Sequence, residues 1–154
     1  MKDKLIVNGK ALHPDMQAML DARKNAGPAE TIAEQRKAWN AYSEALSRPH
    51  PDDMKVEDRE LPLSHGKVTV RIYTPATADE NAACVIYSHG GGFMKGDLDS
   101  SDTFAWGVAQ DTNSAVISVD YRLAPEYPFP AAFNDIYETL CYVAGNPAAF
   151  GIDP

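Results

Sequence analysis

The sequence predicts an α/β fold, a mostly parallel sheet with helices on its faces, preceded by a helical segment. Three observations carry this. After residue 80 the chain alternates strand, helix, strand, helix, the order that builds a parallel sheet with helical layers. Within it "ACVIYS" (83–88) and "AVISVD" (115–120) are apolar on successive positions, as expected of strands covered on both faces. Before residue 50 the apolar residues instead recur at helical spacing.

The elements follow in order. Residues 12–26 place Leu12, Met16, Met19 and Leu20 on one helical face, and Gly27-Pro28 stops that helix. Thr31 and Glu34 form a capping box for a second helix, whose stripe is Ile32, Trp39, Tyr42 and Leu46. The stretch "SRPHPDDM" (47–54) reads as a connector, and composition changes there. Residues 56–63 and 67–75 flank Ser64-His65-Gly66 and predict a hairpin, with His65 as a turn residue rather than a ligand. A helix over 100–112 offers Phe104, Trp106, Val108 and Ala109 for burial; one over 132–146 offers Phe133, Ile136, Leu140 and Val143. Between them "YRLAPEYPFPA" (121–131) is too rich in proline to be anything but a loop.

Composition narrows the function. The 154 residues suit one domain, and 44% hydrophobic against 23% charged residues is the balance of a globular chain. A net charge of -8 disfavours nucleic acid and anionic bilayers as partners. The apolar run at 5–7 is too short for a signal-peptide core, and no stretch approaches a membrane span, so the expected location is cytoplasmic. Cys84 and Cys141 lack zinc-site spacing and are expected to be buried thiols.

The first apolar strand runs into "HGGGFMKGD" (89–97), where three consecutive glycines suggest a backbone that bends sharply or is approached closely. A phosphate loop has its glycine spacing at Gly91 and Gly96, but Asp97 stands where lysine is needed. A dinucleotide loop could use Gly90, Gly92 and Gly96 with Asp120, yet its spacing is one residue long, and the acidic run 97–102 occupies the helix start where pyrophosphate would bind. An oxyanion hole is the third reading: bare glycines let peptide N–H groups meet an oxygen that becomes negative in the transition state.

His89 completes the HGGG-type motif of lipases and esterases. Together with "VISVDYRLAPEYPFPAAFND" (116–135), it makes the chain resemble the hormone-sensitive-lipase-like branch of the α/β-hydrolases, which includes many bacterial carboxylesterases. The resemblance implies a helical cap segment over 1–54 and the N-terminal half of the hydrolase core over 55–154. It implies Gly91 and Gly92 as N–H donors to the oxyanion, Gly90 and His89 as shapers of the loop, and Phe93 beside the acyl pocket. Asp120 and Arg122 are expected to form a structural ion pair and, with Glu126, to hold the proline-rich loop. The implied reaction hydrolyses short-chain acyl esters with no metal or organic cofactor. A hydrolase-fold protein that holds a small ligand without catalysis keeps the same fold.

The nucleophile of such enzymes is a serine on a Gly-x-Ser-x-Gly elbow, followed by an acid and a histidine. None of the eight serines here has those flanking glycines, and no histidine follows His89. The chain alone is therefore expected to be inactive, with the triad on a complementary C-terminal polypeptide. The strand at 83–88, which in this family pairs with the nucleophile strand, is then expected to be an unpaired edge. Self-association stays open.

Overall fold

The computed structural model describes residues 6–7, 9–79 and 82–153. A short antiparallel pair, β1 (Ile6–Val7) and β2 (Lys10–Ala11), precedes two helices, α1 (Pro14–Asn25) and α2 (Ile32–Glu44). The predicted capping box starts α2. The Thr31 hydroxyl accepts from the Glu34 amide at 3.2 Å, and the Glu34 carboxylate accepts from the Thr31 amide at 2.9 Å, so two end groups that the helix cannot pair internally are satisfied. Leu46 falls beyond the helix, and the other members of its stripe are half-buried.

The main sheet contains β3 (Met54–Leu63), β4 (Gly66–Pro75), β5 (Cys84–Ser88) and β6 (Ala115–Val119), in the spatial order β3-β4-β6-β5. β3 and β4 form the predicted hairpin around Ser64 and His65, with Leu63 opposite Gly66. Only β5 and β6 run parallel; β6 meets β4 antiparallel, so among the described strands the sheet is mixed rather than mostly parallel. The hairpin supplies the antiparallel half. The parallel half needs a crossover, provided by α3 (Asp102–Thr112) after a short 3-10 turn at Asp99–Ser101. α4 (Ala131–Gly145) then covers the opposite face of the sheet.

Alternation along β6 divides the core. Ala115, Ile117 and Val119 face α4 together with Val70, Ile72, Leu61 and Val143, while Val116 faces α3 with Tyr73, Ala105 and Ala109. The helices bury less than their periodicity promised. Ala105 and Ala109 fill the α3 contact, whereas Phe104 stays 69% exposed; on α4, Phe133, Tyr137 and Leu140 also face outward. Cys141 is exposed and Cys84 half-buried, so neither is the fully buried thiol expected. Burial still pushes the Cys84 thiol up to about 11.

β5 lies at the edge of the sheet and, unlike β6, is only partly buried, which departs from a strand covered on both faces. Near its start Ala82 forms a parallel bridge with Ile152, and the Asp153 amide donates to the Ala82 carbonyl at 3.1 Å. No described helix is long and apolar enough to cross a membrane.

Candidate active-site loop

β5 ends by delivering His89 to a loop that runs to Asp97. His89 is 4% exposed, and its ring stacks on Tyr121 with centroids 4.2 Å apart. The Tyr121 hydroxyl donates to the His89 carbonyl at 2.6 Å, and His89 Nδ1 lies 3.0 Å from the Gly90 carbonyl. The imidazole thus works as a buried brace that folds the glycines back on themselves. Its Nε2 has no partner among the described residues. Burial, with smaller contributions from Tyr87 and Asp120, pushes the Tyr121 phenol up to about 12, which keeps it a neutral hydrogen-bond donor.

Gly91 and Gly96 are the glycines this path requires. A Cβ on Gly91, at φ 139°, would drive into the Lys95 carbonyl; one on Gly96, at φ 98°, would sit 2.5 Å from His89 Nδ1. The chain stays left-handed through Gly92 and Phe93, at φ 65° and 60°. Among the described residues, the amides of Gly91 and Gly92 donate to no protein acceptor. They are neither sheet-paired nor spent on a turn. Phe93 is exposed, and its ring lies 5.9 Å from that of Tyr121.

Two neighbouring segments hold this loop. Asp97 accepts from the Ser100 amide at 2.7 Å, while its own amide donates to the Ser100 hydroxyl at 2.9 Å, a reciprocal cap on the helical stretch that follows. Its other oxygen accepts from Asn40 of α2 at 2.7 Å. The proline-rich segment attaches through the Ala124 amide, which donates to the Phe93 carbonyl at 2.8 Å.

The acidic and basic residues of that segment are partnered differently from the sequence expectation. Arg122 does not pair with Asp120. Its guanidinium reaches Asp135 of α4 at 2.7 Å, and its amide donates to the same buried carboxylate at 2.8 Å. Asp120 makes no side-chain hydrogen bond or ion pair among the described residues, and desolvation raises its carboxyl above the ordinary range. Glu126 pairs with Arg36 of α2 at 2.6 Å, a hydrogen bond that holds the Glu126 carboxyl below its usual range. His65 occupies the hairpin turn as expected, but its Nε2 also lies 2.9 Å from Asp135.

Arg36, Asn40, Tyr121 and Asp135 escaped the sequence reading. Their partners lie far away in the chain, and the one local signal was that Arg36, Trp39 and Asn40 share a helical face at spacings of three and four. A cleft of about 500 Å³ opens between α2, the loop and the proline-rich segment, lined by Asn40, Asp97, Asp120 and Tyr121 among others. Among the described residues, no three His, Cys, Asp or Glu side chains gather as a metal site.

The chain is similar to known proteins. A family model described as alpha/beta hydrolase fold matches residues 85–154. An ethyl acetate hydrolase of Pseudomonas putida is 34% identical over 154 residues, covering 93% of this chain and 48% of that protein. The carboxylesterase NlhH of Mycobacterium tuberculosis is 39% identical over 103 residues, covering 66% of this chain and 32% of its own length. The solved structure of a hyperthermophilic esterase from the archaeon Pyrobaculum calidifontis superposes with a TM-score of 0.80 at 32% identity, over 92% of this chain and 46% of that one. The chain thus spans about half the length, or less, of the relatives it matches. It has the α/β-hydrolase fold and is similar to carboxylesterases such as these.

Proposed function

We propose that this chain supplies the oxyanion-hole side of a serine carboxylesterase acting on short-chain acyl esters, and that a complementary C-terminal polypeptide supplies the triad. The observation that carries the reading is the pair of unengaged amides at Gly91 and Gly92, held in a left-handed turn at the end of a parallel strand. Peptide N–H groups fixed before the reaction stabilise charge that develops on an oxygen without having to reorganise at that moment.

The chemistry follows from that placement. A serine hydroxyl on the complementary polypeptide attacks the ester carbonyl, and its proton passes to a histidine. The C–O double bond becomes a single bond to an oxyanion, which accepts from Gly91 and Gly92. Collapse expels the alcohol, which takes the proton from histidine; water then repeats the cycle on the acyl-serine and releases the acid. Gly90 and His89 set the turn, and Phe93 borders the acyl group. Arg122 ties the proline-rich segment to α4 and Glu126 ties it to α2, whereas Asp120 is left to the cleft.

The docking face for the complement has two parts. One is the edge of β5, whose outer side pairs with no other strand among the described residues. Just before β5, Ala82 forms one isolated parallel bridge with Ile152. The other is the outer face of α4, where Phe133 and Tyr137 stack in parallel at 6.0 Å and stand exposed together with Leu140. A hydrolase half that adds a parallel strand and a covering helix fits both.

p-Nitrophenyl acetate hydrolysis tests the reading. A preparation shown by intact mass to contain only residues 1–154 should give background rates, because loss of the serine and histidine removes on the order of 10⁶ in turnover. Mixing with a polypeptide carrying the remaining half of an esterase of this branch should restore turnover. Serine-esterase rates from the chain alone, or a formed complex with none, would overturn it.

A further inference from the structure

We infer that Arg36, on α2, is a positioning residue for hydrolysis: it locks the backbone that follows the two oxyanion amides to the proline-rich segment. The inference rests on the esterase reading of that loop.

One guanidinium makes four hydrogen bonds to three groups. Nε donates to the Met94 carbonyl at 2.8 Å and Nη2 to the Ala124 carbonyl at 3.0 Å. Nη1 and Nη2 meet the two oxygens of Glu126 at 2.9 and 2.6 Å. The Ala124 amide donates in turn to the Phe93 carbonyl at 2.8 Å. Arg36 therefore closes a triangle between two segments that have no regular secondary structure of their own.

The position of this triangle gives it consequence. Met94 and Phe93 directly follow Gly92, and Phe93 holds a left-handed φ of 60°, a conformation that a bulky residue keeps only where its surroundings enforce it. The same face of α2 adds two contacts to the loop: Asn40 to Asp97 at 2.7 Å, and the Trp39 ring beneath the Lys95 ammonium at 5.3 Å. Three residues at helical spacing thus grip residues 94–97. An exposed ion pair contributes little by itself. The two backbone carbonyls distinguish this arginine, since only a planar fork can serve them and a carboxylate together. Arg36 touches none of the reacting atoms in this scheme and acts through the loop.

The test compares Arg36→Ala, Arg36→Lys and Glu126→Gln in the assembled protein. Small displacement of a positioned group is enough to cost rate, so R36A should lower kcat about 10- to 100-fold, with KM changed no more than about 2-fold. Ethylguanidinium added to R36A should recover part of kcat. R36K should stay impaired, because an ammonium cannot fork. E126Q, which keeps both carbonyl bonds, should lose the least. A kcat for R36A within about 2-fold of wild type, or a loss confined to KM and indifferent to guanidinium, would overturn the inference.

A second readout does not depend on catalysis. In the chain alone, hydrogen exchange of the Ala124 amide should accelerate at least about 10-fold in R36A while the Ile117 amide in the core is unchanged. An inactive wild-type assembly would refute the esterase reading, and the Ala124 exchange would then decide separately whether Arg36 holds the loop. Should R36A fail to fold, R36K and E126Q carry the same comparison.

Discussion

β5 and β6 are neighbours of equal length, and their sequences read alike, yet they have opposite fates. All five residues of β6 are buried, packed between α3 and α4 and paired on both sides. Among the described strands β5 is paired on one side only, and Cys84, Val85, Ile86 and Tyr87 are left half-buried. An apolar run therefore states what a strand is suited to face, and the covering polypeptide decides whether it faces it. The division also separates roles: β6 holds the sheet together, and the end of β5 presents the loop that carries the proposed chemistry.

Paired truncations sharpen this contrast most. Ile117 and Ile86 stand opposite each other in the parallel register, on the same α4-facing side, but Ile117 is fully buried. Ile117→Ala should destabilise the chain by about 4 kcal/mol, the upper part of the range for a core isoleucine, and Ile86→Ala by about 1 kcal/mol. Urea unfolding measures both. In the assembled protein the Ile86 effect should grow toward that of Ile117, and equal effects in the isolated chain would break the comparison.

Gly91→Ala should reverse the pattern. The new methyl group meets the Lys95 carbonyl and displaces the turn, so kcat of the assembly should fall about 100-fold, the effect of losing one oxyanion donor. The melting temperature should move far less than in Ile117→Ala, because the loop lies outside the core.

The smallest effect concerns pH, and it arises on the hairpin, away from the loop. Arg59, and secondarily Lys55, hold the Glu57 carboxyl at about 2 against an ordinary 4.5. A carboxylate whose folded value is depressed stabilises the fold above its unfolded value, and that contribution is lost as pH falls through the folded one. The melting temperature should therefore decline between pH 4.5 and about 2, with a shallower slope in Glu57→Gln. An identical slope in the variant would remove this pair as a contributor.

Local chemistry was legible and distant chemistry was not. Thr31 and Glu34 are three residues apart, so their reciprocal cap could be read directly; Gly66 and the alternation after it marked the hairpin for the same reason. Arg36 and Glu126 are 90 residues apart, and nothing near either one names the other. Asp120 and Arg122 looked like a pair because they are close in sequence, but the fully buried Asp135 accepts from both the amide and the guanidinium of Arg122 and so took the arginine. Period alone placed Phe104, Phe133 and Leu140 in a core. It could not show that among the described residues all three face outward.

The direct test is amide NMR of the assembled protein, labelled with ¹⁵N in this chain, before and after inactivation by an ester-like phosphonate. An anionic phosphonyl oxygen in the hole should move the Gly91 and Gly92 amide protons strongly downfield, beyond any change at other backbone sites. Stoichiometric modification of the serine with both glycine signals unmoved would contradict the account.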